Sequence, residues 1–182
     1  MACLSLVSLP LVCGSEGVIA GIAKLYMIAY KDLKAVSGSS FPYVVATNNV
    51  VNQLGLVTGK LFTEVGIIAN TSGINETGVF NDNGTSYSTI ELTLSLLDVT
   101  AENLSFVKAV GRQEVAAIAM DKSGRYYVIG LNGNLKVSAM TASLGTADAD
   151  AKGYNLTFSG NDVFGIKPLE ATSARTAISV AV

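Results

Sequence analysis

The chain has 182 residues, 49% of them hydrophobic and only 14% charged, with a formal net charge of −2 and neither histidine nor tryptophan. This length suits one domain with its own core, and the interspersed charges exclude a basic groove of the kind that grips nucleic acid. Charge this sparse, against ~25% in ordinary soluble domains, predicts that part of the apolar surface is covered by other subunits.

At the N-terminus, Leu4 to Val12 is apolar and ends at Cys13-Gly14, the outline of a short signal sequence or a lipoprotein cleavage site. No Lys or Arg precedes the run, and Pro10-Leu11-Val12 fits a lipobox badly. Met1 to Gly17 is therefore expected to be an ordered arm, with Leu4, Leu6, Leu9 and Leu11 as candidate subunit contacts. Cys3 and Cys13 are too few for a disulfide scaffold and lack histidine partners for zinc; free thiols are expected. No apolar run approaches the ~20 residues that span a bilayer, and no membrane insertion is expected.

Lys24 to Tyr30 reads as a strand that is apolar or aromatic on both faces, which requires cover on two sides, from a second sheet or from a neighbour. Tyr26 and Tyr30 are its candidate contacts. Asn48 to Thr58 is ambiguous between a short helix and an irregular strand, and Lys60 to Ile68 reads as a strand. Asn70 to Thr85, with Gly73, Gly78 and Gly84 among many Asn, Ser and Thr residues, predicts a long polar loop or a hairpin tip.

From Thr85 to Leu96 the alternation is clean: Ile90, Leu92, Leu94 and Leu96 against Thr89, Glu91, Thr93 and Ser95. One face is for the core and one for water. Thr100 is a plausible N-cap for a helix of about three turns over 101–110, with Glu102 in the first turn, Lys108 in the last, Gly111 at C′, and Leu104, Val107 and Val110 on the buried stripe. Val115 to Met120, a turn at Asp121-Lys122-Ser123-Gly124, and Arg125 to Leu131 form a hairpin. Asn132-Gly133 is a second turn. Alternation resumes at Leu135, Val137 and Ala139, and again at Tyr154, Leu156 and Phe158, which predicts a meander of half-buried antiparallel strands. The tail ends in Ile178-Ser-Val-Ala-Val182, a segment able to pair as a strand with its own or an adjacent subunit; Ile178 and Val180 are its candidate contacts.

Reactive chemistry finds little support. Asp148 and Asp150 followed by Lys152 resemble part of a calcium loop but lack the later acidic ligand. Ser39, Ser40 and Ser86 have no base partner. Five Asn-X-Ser/Thr sequons begin at Asn70, Asn75, Asn83, Asn103 and Asn155, two of them inside predicted elements. No catalytic residue, metal ligand or cofactor is expected, and the chain is not expected to be an enzyme.

The order of parts is similar to that of small structural proteins of tailed phages of Bacteroidetes hosts, including crAss-like phages, and to phage tail-tube proteins. The likeness spans most of residues 13 to 163: a cysteine-bearing arm, the Gly21-to-Tyr30 strand, the helix from Glu102, the hairpin around Asp121-Lys-Ser-Gly, and Gly153-Tyr-Asn-Leu-Thr-Phe. It implies a mainly β fold, an antiparallel β-sandwich or rolled sheet with one flanking helix, a long loop, and extended arms at 1–17 and 164–182 around a domain at 18–163. It also implies homo-oligomeric rings, commonly hexameric, contacts with neighbouring tail or neck proteins, a place in the virion tail, and DNA as transiting cargo only. Thr89, Glu91, Thr93, Ser95 and the hairpin around Asp121 are the candidate lumen-facing positions. A secreted fimbrial or adhesin subunit, assembling by strand exchange through Ile178 to Val182, is the alternative reading.

Overall fold

A computed structural model of the chain describes residues 20–68, 71–82, 84–145, 152–163 and 165–178. The fold is mainly β, a sandwich of two open sheets with two helices. In chain order come β1 (Ile22–Ala29), β2 (Tyr43–Val45), β3 (Val51–Leu54), β4 (Thr63–Val65), β5 (Gly73–Phe80), β6 (Ser86–Leu97), α1 (Ala101–Val110), β7 (Val115–Asp121), β8 (Tyr126–Ile129), β9 (Lys136–Ser143), β10 (Gly153–Asp162), β11 (Lys167–Leu169) and α2 (Ala171–Ala177). One sheet has seven strands in the order β2-β3-β11-β8-β7-β1-β4; the other has four, β5-β6-β10-β9. All ladder pairings are antiparallel except β3 with β11.

The seven-stranded sheet is buried on both faces, which explains its unbroken apolar strands. Along β7, Val115, Ala117 and Ala119 enter the core between the sheets, whereas Ala116 and Ile118 enter a second core beneath α2. β1 divides the same way, with Leu25 and Met27 on one side and Tyr26 and Ile28 on the other. The two-sided cover expected for this strand thus comes from within the chain. Across the inter-sheet core, β6 contributes Ile90, Leu92, Leu94 and Leu96, and β10 contributes Tyr154, Leu156 and Phe158.

α1 carries the chain from the four-stranded sheet to the seven-stranded one. Thr100 caps it as expected, its hydroxyl accepting the Asn103 N–H at 3.2 Å. Two details differ. Val107 and Val110 are buried but Leu104 is 38% exposed, so the buried side of the helix is Val107 and Val110, with Phe106 packed beside them. Gly111 is the C-cap in right-handed conformation (φ −67°), not a left-handed C′ residue; its N–H closes onto the Val107 carbonyl at 3.0 Å.

Three expectations are corrected by tertiary packing. The stretch expected to be a long polar loop or a hairpin tip is mostly β5, paired with β6 from Gly73↔Thr93 to Phe80↔Ser86, and only its end, where the Asn81 N–H meets the Thr85 carbonyl, is a hairpin tip. Its glycines and polar residues are compatible with a strand because it lies at a sheet edge with little to bury. The expected meander is split: β7 and β8 belong to one sheet, β9 and β10 to the other. Residues 165–178 are not an extended arm, since β11 inserts between β3 and β8, and Leu169, Ala174, Ala177 and Ile178 complete the second core.

Candidate functional site

The outward face of the four-stranded sheet gathers four of the candidate lumen-facing residues. Strand alternation fixes this: with Ile90 to Leu96 committed to the core, Thr89, Glu91, Thr93 and Ser95 must point away from it. Register then extends the set sideways, pairing Thr89 with Thr77 and Asn161, Glu91 with Asn75 and Ser159, Thr93 with Gly73 and Thr157, and Ser95 with Asn155. A flat field of hydroxyls and carboxamides results.

Its side chains bind one another. The Thr89 hydroxyl donates to Asn161 Oδ1 at 2.9 Å and the Ser95 hydroxyl to Asn155 Oδ1 at 2.7 Å. Thr93 Oγ1 accepts the Gly73 N–H at 3.1 Å, and Ser138 donates to the Thr157 carbonyl at 3.0 Å. Cross-strand pairs of this kind hold the side chains against the sheet. Glu91 is the one carboxylate in these rows, and the cation at the rim, Lys136, is held by Glu114 at 3.0 Å. The face is therefore mostly polar and sparsely charged, with Tyr87 and Leu97 exposed towards its two ends and Lys136 as its one cation among the described residues.

Asp121 does not join this face. It ends β7 in the other sheet, and its Oδ1 accepts the Ser123 and Arg125 N–H groups, both at 2.8 Å, so it shapes the β7–β8 turn. Among the candidate subunit contacts, Tyr26 is 6% exposed within the second core and Ile178 is 8% exposed there. Neither offers a side chain to a neighbour. Tyr30 is half-buried, its ring lying against Gly133 so closely that a Cβ there would come within 2.7 Å of Cε1. Leu4, Leu6, Leu9, Leu11 and Val180 lie outside the described residues, as do Asp148 and Asp150.

The strand edges carry what the sequence did not reveal. Among the described residues, β5 and β9 are the two edges of the four-stranded sheet, each of eight residues and each paired with another strand on one side. Exposed apolar side chains accompany them: Phe80 on β5, Met140 on β9 and Leu144 just beyond it. Inward-pointing Glu76 on β5 is tied down, its carboxylate accepting the N–H groups of Gly165 and Ile166, both at 2.9 Å. Burial by itself would raise the Glu76 pKa, but the Gly165 N–H, the Ser88 side chain, the Ile166 N–H and nearby Lys167 outweigh it and leave the carboxyl below its ordinary value. Among the described residues, no three His, Cys, Asp or Glu side chains group to hold a metal.

Comparison with protein-family models, with curated proteins and with solved structures gives no match for this chain.

Proposed function

We propose that the chain is a virion structural protein that assembles into the rings of a phage tail tube or tail barrel, a passive conduit for DNA. The observation that carries this reading is the four-stranded sheet, with one mostly polar, sparsely charged face and two edges that no other described strand covers. Three successive antiparallel pairings make β5 and β9 run in opposite directions. β9 of one copy therefore meets β5 of the next as a further antiparallel pair, and the sheet continues around a closed ring.

Neither edge strand contains a proline, and the features that weaken edge pairing are a single bulge in the β9 ladder at Thr157/Phe158 and the inward-pointing carboxylate of Glu76 on β5. The β5 carboxylate accepts the N–H groups of Gly165 and Ile166, and Lys136 on β9 makes an exposed ion pair with Glu114. With strands ~4.8 Å apart, six copies form a closed sheet roughly 37 Å across at the backbone, wider still with tilt. That leaves room for a nucleic-acid duplex. The wall facing it is mostly Thr, Ser, Asn and Glu91, with Lys136 its one cation among the described residues and paired with Glu114, which gives phosphates little to bind and so adds little counterion-release affinity.

Electron microscopy of the concentrated protein tests this: rings with a central hole are expected. Ala139→Lys with Ala142→Lys places two charges on the β9 edge and should abolish the rings while leaving the circular dichroism of the monomer intact. A wild-type protein that stays monomeric at high concentration, or rings indifferent to those charges, overturns the reading. The fimbrial alternative is disfavoured because Ile178, the first residue of the strand it would donate, is engaged with Phe62 of its own chain.

A further inference from the structure

Where the two sheets meet, one carboxylate holds an amine and a carboxamide side by side. Asp162 ends β10, Asn132 sits in the turn between β8 and β9, and Lys167 opens β11. Lys167 Nζ donates to Asp162 Oδ2 at 3.1 Å, and Asn132 Nδ2 donates to the other oxygen, Oδ1, at 2.6 Å. Tyr43 of β2 reaches the same group: its hydroxyl donates to Asn132 Oδ1 at 3.4 Å, and Lys167 Nζ lies 5.6 Å from its ring centroid.

We propose that this cluster is the site of an intramolecular cross-link, an amide bond between Lys167 Nζ and Asn132 Cγ, formed with release of ammonia and with Asp162 as catalytic acid and base. The structure shows the side chains before reaction. A lysine amine attacks a carbonyl carbon only once it has lost a proton, and Asp162 Oδ2 is in contact with Nζ to take it. The amine then adds to Asn132 Cγ, the carbonyl oxygen becomes an oxyanion, and the Tyr43 hydroxyl is placed to stabilise it. Asp162 passes its proton through Oδ1 to Nδ2, the Cγ–Nδ2 bond breaks, and the freed carboxylate takes the second proton from Nζ and gives it to the departing ammonia. An ammonium and a carboxamide thus become an amide and an ammonium ion, with nothing oxidised or reduced.

Three observations support it. The pair is nearly dry, with the Lys167 and Asp162 side chains 14% and 5% exposed, so water competes little for the proton or the carbonyl. The partners are pinned: the Val163 N–H also holds Asp162 Oδ1 at 2.6 Å, and Asn134 Nδ2 ties the turn to the Asn161 carbonyl at 2.9 Å. The amine has only to turn from Oδ2 to the neighbouring carboxamide, the proximity that makes intramolecular attack fast. Burial, foremost, raises the Tyr43 pKa against the opposing bond to Asn132, which keeps the phenol a donor at neutral pH. The bond lies within one copy, independent of ring formation, and closes a covalent loop that contains β9 and β10.

Intact mass of the full chain tests the proposal. The wild type should be lighter than its sequence by one ammonia, and a tryptic digest should contain residues 126–136 joined to residues 153–175. Lys167→Arg, which keeps the charge without the amine, and Asp162→Ala should both show their full sequence mass. A wild type of full mass overturns the proposal, as does loss of one water, which would place the bond on Asp162. So does loss of ammonia with no joined peptide, the mark of a succinimide at Asn132-Gly133, or a joined peptide that persists in Asp162→Ala.

Discussion

Lys167 Nζ lies 3.1 Å from Asp162 Oδ2, and the two side chains are only 14% and 5% exposed. The pair joins the end of β10 in one sheet to β11 in the other. Asn132 Nδ2 donates to the second carboxylate oxygen of Asp162 at 2.6 Å, the Val163 N–H donates to the same oxygen at 2.6 Å, and Lys167 stands 5.6 Å from the Tyr43 ring centroid. Asp162 thus holds the two layers in alignment.

Removing one member of a buried pair strands the other charge, at a cost of about 3–5 kcal/mol. Asp162→Ala should fall in that range in urea titration, and Asp162→Ala with Lys167→Met should recover part of the loss. A loss below about 1 kcal/mol for the single variant would mean that water reaches the pair.

Glu76 predicts a pH dependence. Its carboxyl is held below its ordinary value of 4.5, so its contribution to stability is fully present above that value and is lost as pH falls through the lower, folded-state value. The carboxylate is largely solvated, which limits the effect to on the order of 1 kcal/mol. Glu76→Gln should lower stability at neutral pH and flatten the profile below about pH 4.5. A parallel displacement of the whole profile would rule out the charged form as the cause.

Along α1, Thr100→Ala should remove about 1 kcal/mol through the lost cap. Val107→Ala should remove about 2 kcal/mol through the cavity it leaves. Leu104→Ala, on the solvent side, should change stability by less than about 0.5 kcal/mol. Denaturant titration ranks the three, and a Leu104 loss equal to that of Val107 would place the buried stripe one turn earlier.

The polar sheet face predicts weak DNA binding that Glu91 alone can tip. Wild-type rings should bind duplex DNA without sequence preference and above micromolar dissociation constants at physiological salt. Glu91→Lys places a ring of cations on the wall and should tighten binding, with a salt slope steeper by about one for each phosphate newly contacted. Submicromolar binding by the wild type in filter assays would contradict a passive wall.

The sequence determined the parts whose burial is one-sided or complete. β6 was legible because one face meets the core and the other water, and the same alternation marked Thr89, Glu91, Thr93 and Ser95 as a shared outer face. β7 was legible because both faces are covered, and Thr100 because an N-cap is a local bond. Tertiary structure decided the rest. β5 carries almost no apolar period because an edge strand buries little, so its backbone pairing with β6 is what makes it a strand. α2 has no side-chain N-cap bond and spans seven residues, and burial of Ala174 and Ala177 holds it. Tyr26 and Ile178 looked like contacts for a neighbour, since a sequence shows that a side chain must be covered but not by which chain. That choice rests on which surfaces the folded backbone brings together, and here β11 and α2 return to cover the face that Tyr26 and Ile178 occupy.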